Sequence, residues 1–268
     1  MKLSKALFAF LWAVPISLLG GLMGLGGAEF RLPVLAGPLG YLAKQAVPIN
    51  LAVSLVTIGV ALLIRGQTLP LAELAVFQPV LVSLIVGAAL TAYLGATWVR
   101  HISNERLERV ILGLLVAIGI ALLIEAFLPT TLPGFVPATL EWQIPTGVLF
   151  GLAIGLVSSV LGVAGGELII PTLIFAFGVD IKSAGTGSLI VSLPTVTIGL
   201  LRYLRAGAFA DRQSVRVTIF PMGLGSVIGA IAGSLLVGII PASLLKFILG
   251  FILILSALRV FAHTRSSS

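Results

Sequence analysis

The 268-residue chain contains no cysteine, only two histidines, His101 and His263, and 9% charged residues. Without cysteine there are no disulfides, thiolate metal sites or cysteine nucleophiles. Two scattered histidines make no metal constellation, and no His, Cys or Asp cluster is present to carry catalysis. The shortage of charge is more informative. Ordinary soluble domains carry about 25% charged residues, whereas here 59% of the chain is hydrophobic. A soluble fold of this length would still need a charged surface. The pattern implies a polytopic all-α protein covered by lipid.

The formal net charge of +7 does not point to nucleic acid. The basic residues lie singly or in small groups between apolar runs, as topology signals do. Lys2 and Lys5 precede an apolar run from Ala6 to Leu19, which has the outline of a signal peptide. Its recurrence inside the chain argues for a membrane segment instead.

A shift of 138 residues places Gly24 on Gly162, Gly27 on Gly165, Glu29 on Glu167 and Pro33 on Pro171. The same shift lays AVSLVT at Ala52–Thr57 over IVSLPT at Ile190–Thr195. The chain is a tandem repeat. Its expected divisions are a first membrane repeat over 1–128, an extracytoplasmic Pro-rich connector over 129–143 and a second repeat over 144–268. Each half has five apolar segments, of which the second, near 30–42 and 168–178, is short. At 1.5 Å per residue these reach about 16–20 Å, below the roughly 30 Å hydrocarbon core.

Positive charge arbitrates the topology. If each short segment returns the chain across the membrane, twelve basic residues lie inside and three, Arg65, Lys182 and Lys246, lie outside. If the short segments are ignored, the split is nine against six. The expected architecture is therefore an inverted repeat with both termini cytoplasmic, each half carrying one short half-helix after a Gly-rich junction.

The junctions GLMGLGGAEFRLP (Gly21–Pro33) and SVLGVAGGELIIP (Ser159–Pro171) concentrate the candidate chemistry. Glycine permits positive φ and close backbone approach, and irregular backbone at membrane depth is tolerated where it lines a cavity. The N–H groups expected to start each short helix form an anion-favouring terminus. The candidate binding residues there are Gly26, Gly27, Ala28 and Glu29, with Gly165, Gly166 and Glu167 in the second half. The competing reading is that the glycines only pack helices. Either glutamate can cap its short helix or carry a proton, and both readings stand. Arg31, opposite Ile169 in the second half, is the candidate anion anchor, because guanidinium suits oxyanions; snorkelling or pairing with Glu29 is the alternative. Asn50 and Ser54, with Ser188 and Ser192, share helix faces at spacings of four and either line the cavity or bond between helices.

With GLGGAEFRLPVL at Gly24–Leu35 and GVAGGELIIPTL at Gly162–Leu173, each followed by QAVPINLAVSL or SAGTGSLIVSL, the sequence resembles the TauE/SafE family of sulfite exporters over nearly its whole length. It departs at Ala28, where the family usually repeats glycine, and at Asn50, where a Thr-Ser pair is common. The resemblance implies a secondary transporter of the inner membrane that exports sulfite, a sulfonate or a related sulfur oxyanion. An anion channel and a non-transporting scaffold remain as alternatives. No cofactor, metal or nucleic acid is expected; the partners are a small sulfur-containing anion and the bilayer, with self-association left open.

Overall fold

A computed structural model describes residues 4–69, 72–98, 116–124, 126–127, 133–161 and 164–265. Every regular element among them is helical. In the first half these are α1 (Lys5–Met23), the short α2 (Ala28–Ala36), α3 (Ala43–Thr68), α4 (Ala72–Ala75), α5 (Gln78–Trp98) and α6 (116–124). In the second they are α7 (Leu140–Leu161), the short α8 (Gly166–Pro171) continuing into a π-helical turn at Thr172–Ala176, α9 (Ile181–Arg205), and α10 (Arg212–Ser214) with a second π-helical turn at Val215–Ile219. The chain ends with α11 (Phe220–Leu236) and α12 (Ala242–Arg265). Five of the described helices are long and apolar enough to cross a membrane. Leucines and valines such as Leu11, Val82, Val86, Leu149, Leu224 and Leu235 stand exposed on them and on α5, as lipid contact requires. The chain is an all-α polytopic membrane protein.

Local signals set the helix ends. The Ser4 hydroxyl accepts from the Leu7 N–H at 3.3 Å to start α1, and the Asp180 carboxylate accepts from the N–H groups of Lys182 and Ser183 to start α9, as N-caps do. Asp211 does the same for α10, and the Ser214 hydroxyl, with the Gln213 N–H, holds its carboxyl below the usual range. The short helices obey the repeat closely. Each begins after a left-handed glycine, Gly27 (φ 72°) or Gly165 (φ 80°). Each is followed by a left-handed glycine, Gly40 or Gly178, and matching hydrogen bonds run from Tyr41 N to Leu35 O and from Val179 N to Leu173 O. The first short helix stops at Ala36, and residues 37–41 form this turn instead of continuing the helix to 42.

The connector is not free. Phe135 and Val136 donate their N–H groups to the carbonyls of Phe175 and Ala176, beyond the end of α8, and α7 already begins at Leu140. Residues 128–132 lie outside the described residues.

The halves interlock. α1 packs on α11 and α7 packs on α5, so each first helix rests on the other half's fourth segment. Gly225, Gly229 and Gly233 of α11 lie against the backbones of Phe10, Val14 and Leu18, and Gly147, Gly151 and Gly155 of α7 lie against Ser83, Leu84 and Ala88. Small residues at four-residue spacing let the backbones approach closely, which is how membrane helices gain contact without a hydrophobic drive. The matching helices α3 and α9 pack on each other with opposite directions: Leu51 meets Gly199 at one end, while Arg65 meets Gly185 and Thr186 at the other. Likewise α6 and α12 run antiparallel, with Gly119 against Ile254 and Leu123 against Gly250.

Candidate functional site

The two junctions touch. A Cβ on Gly26 would sit 2.9 Å from the Cβ of Ala164, and one on Gly166 would sit 2.9 Å from Cδ2 of Leu25. Gly24, left-handed at φ 84°, presses on the backbone of Gly185, where no side chain fits between them. These contacts bring the end of α1 and the start of α2 against the start of α8 and the first turns of α9.

In the first junction the dominant feature is Arg31, which is fully buried. Its Nη1 donates to Ser54 Oγ at 2.9 Å, to Asn50 Oδ1 at 3.1 Å and to the Asn50 carbonyl at 3.4 Å. Its Nη2 donates to Thr57 Oγ1 at 3.2 Å, the Gly26 carbonyl at 3.3 Å and Ser17 Oγ at 3.4 Å. Every acceptor is neutral. Ser17 is itself tied to Thr57 and to Ser226 of α11, so four helices build the cage. Arg31 neither snorkels nor hydrogen-bonds Glu29. Its Nε has no partner among the described residues.

Glu29, two residues before it in the first turn of α2, has both carboxylate oxygens buried and without a hydrogen-bond partner among the described residues. The N-cap Gly27 offers no side chain. Ala28 is fully buried, and its carbonyl accepts from Asn50 Nδ2 at 3.4 Å.

The second junction is smoother. Ile169 takes the place of Arg31 and is buried among Leu168, Ile170 and Leu173. Ser192 Oγ donates to the Ala164 carbonyl at 3.1 Å. Glu167 is buried. The hydroxyls of Ser188 and Ser158 are buried without a hydrogen-bond partner among the described residues and face the glycine pair, Ser188 Oγ lying 3.2 Å from a Cβ position on Gly166 and Ser158 Oγ close to that on Gly165.

Of the residues expected from sequence, Gly26, Arg31, Asn50 and Ser54 therefore converge in one cluster, and Gly165, Gly166, Ser188 and Ser192 in a second, with Gly26 and Ala164 joining them. The sequence does not single out Ser17, Ser226 and Ser158. The signal available is a hydroxyl inside an apolar run, single at Ser17 and Ser226 and paired at Ser158, which at membrane depth tends to face the protein interior. Arg65, which the charge pattern counts on the outer side, is fully buried and donates five hydrogen bonds. A guanidinium at the end of an apolar helix can fold back onto the free carbonyls of a neighbouring helix end, which hold it without solvent.

No curated protein and no solved structure gives a match to the chain. A family model does, the sulfite exporter TauE/SafE, over residues 1–122 and 147–268. The uncovered stretch contains the connector between the repeats. The matched stretches include both glycine junctions and both short helices, and together they account for most of the chain, so this protein belongs to the TauE/SafE sulfite exporter family, a family of membrane transporters and not of enzymes.

Proposed function

We propose that the protein is a secondary transporter that exports sulfite or a related sulfonate through a site where its two glycine junctions meet, between halves of opposite orientation. The contact of Gly26 with Ala164 and of Leu25 with Gly166 carries this reading, because it gathers both sets of candidate residues around one place inside the bundle. The inverted orientation is supported by the helix directions. Equivalent helices related by an axis along the membrane normal would run the same way, yet α3 opposes α9 and α6 opposes α12. An axis in the membrane plane produces that pattern and is common in secondary transporters. The charge balance is twelve basic residues inside against three outside. It favours cytoplasmic termini in an inner membrane.

Arg31 has the geometry of an anion anchor held in reserve. Its Nε is free among the described residues, and the three Nη2 contacts are all 3.2 Å or longer. An oxyanion approaching the Nε and Nη2 edge would replace long bonds to neutral acceptors with two to a charged one. The Ser158 and Ser188 hydroxyls offer donors from the opposite junction. Glu29, with no hydrogen-bond partner for either oxygen among the described residues, is the group placed to gain and lose a proton as the anion passes.

Flux into proteoliposomes, with sulfite, a taurine-like sulfonate, sulfate and thiosulfate in competition, tests the proposal. Saturable sulfite counterflow, inhibited by the sulfonate and losing its pH dependence in Glu29→Gln, is the expected outcome. Non-saturable flux without counterflow would identify a channel, and no flux of any of the four anions would remove the reading.

A further inference from the structure

Arg65 lies at the end of α3, away from the Arg31 cage, and stands outside the site as described. Its Nε and Nη2 donate to the Gly21 carbonyl at 3.1 and 2.8 Å, and Nη2 also donates to the Leu22 carbonyl at 2.8 Å. These are carbonyls of the last turn of α1, where onward helical partners run out. Its Nη1 crosses to the other half, donating to Thr186 Oγ1 at 3.1 Å and to the Lys182 carbonyl at 3.4 Å in the first turns of α9. Beside it, a Cβ on Gly185 would lie 2.6 Å from the Met23 carbonyl and 2.9 Å from Arg65 Nη1. One guanidinium thus pins the end of α1 to the start of α9 directly over the place where Gly24 meets Gly185.

We propose that Arg65 is the latch that closes the junction site from the face on which α1 and α3 end and α9 begins. Three observations support a latch over a simple helix cap. A cap for α1 needs only the Gly21 and Leu22 carbonyls, yet Nη1 reaches across the boundary between the halves to Lys182 and Thr186. Every acceptor is a neutral carbonyl or hydroxyl, which water can replace when the face opens; a buried carboxylate partner would resist separation far more strongly. Among the described residues, the equivalent position on the opposite face carries no such clamp. The 138-residue counterpart of Arg65 is Tyr203, half-buried near the end of α9, and the basic residues on either side of it, Arg202 and Arg205, are both exposed. A carrier must open its two faces in turn, and here one face is locked by a guanidinium while the other is not. The inference rests on the transporter reading, but its readout needs no substrate, so a failed sulfite assay leaves it standing.

Because the chain has no cysteine, Ser188→Cys provides a single thiol inside the site, two residues along α9 from Thr186 and fully buried. Labelling with a membrane-impermeant thiosulfonate is measured on intact cells and on inverted vesicles. Adding Arg65→Gln is expected to raise the labelling rate from one face by about tenfold or more, the scale of losing charge-assisted hydrogen bonds, with the other face unchanged. Arg65→Lys should give a smaller rise, since a point charge cannot span both helices. Thr186→Val, which removes one hydroxyl, should shift the rate the same way and serves if Arg65→Gln does not fold. A rise from the extracytoplasmic face fits the topology above; a rise from the cytoplasmic face keeps the latch and reverses that topology. Unchanged labelling, or an equal rise from both faces with a lower melting temperature, would overturn the latch and leave Arg65 as a structural staple.

Discussion

In the first half, Arg31 sits in a cage of Ser17, Asn50, Ser54 and Thr57, whereas the second half puts Ile169 at that position among other aliphatic side chains and leaves Ser158 and Ser188 without partners among the described residues. The backbones around these side chains are nearly the same: left-handed Gly27 and Gly165, short helices, and turns through Gly40 and Gly178. One scaffold therefore carries a junction with a hydrogen-bonded guanidinium and one without it, where two hydroxyls have no partner among the described residues. The guanidinium and the neutral acceptors that hold it lie in one half, and the other half supplies small hydroxyls beside the buried Glu167. An anion between them would meet a fixed positive charge on one side and unpaired O–H donors on the other, an arrangement that a strictly symmetric repeat would not provide.

The largest expected effect comes from forcing the two halves to be alike. Ile169→Arg buries a guanidinium in an aliphatic cluster. Ser192 and Thr195 repeat Ser54 and Thr57, but position 155, opposite Ser17, is glycine and position 188, opposite Asn50, is a serine, so half of the cage is missing. Held by half a cage, the charge should cost up to about 3–5 kcal/mol, read as loss of monodisperse protein or a steep fall in melting temperature. A variant as stable as the parent would show that the neutral cage around Arg31 is not what makes that charge tolerable.

A smaller contrast separates the hydroxyls. Ser54→Ala removes an acceptor 2.9 Å from Arg31 Nη1 and should cost about 1.5–3 kcal/mol, as bonds to charged groups do. Ser188→Ala removes a hydroxyl with no partner among the described residues and should change ligand-free stability by no more than about 0.5 kcal/mol. Equal losses in thermal unfolding without ligand would mean that the two junctions hold their serines in the same way.

Much of this is legible in the chain before any coordinates. The 138-residue shift finds both short helices, and it also relates Gly40 to Gly178 and Leu35 to Leu173, whose turns share the bond from Tyr41 N to Leu35 O and from Val179 N to Leu173 O. That works because glycine spacing and short apolar segments are local properties. Arg31 is recognisable as unusual for the same reason, a charge beside a glycine junction. Its cage is not, because Ser17 and Ser226 come from helices distant in sequence and converge only through the α1 and α11 packing. Arg65 misleads because a basic residue after an apolar run looks the same whether it faces water or turns back onto the carbonyls of Gly21 and Leu22. The π-helical turns at Thr172–Ala176 and Val215–Ile219 leave no distinct mark in composition.

The central claim is that the two unlike junctions form one site, and substrate protection tests it most directly. Single cysteines at Ser54 in the first half and Ser192 in the second would be labelled with a small permeant thiol reagent across a range of sulfite concentrations. If both line one site, sulfite should slow labelling at the two positions with the same half-protecting concentration, while an exposed control at Gln213 is unaffected. Protection of one position alone, or of the two at clearly different concentrations, would contradict a shared site.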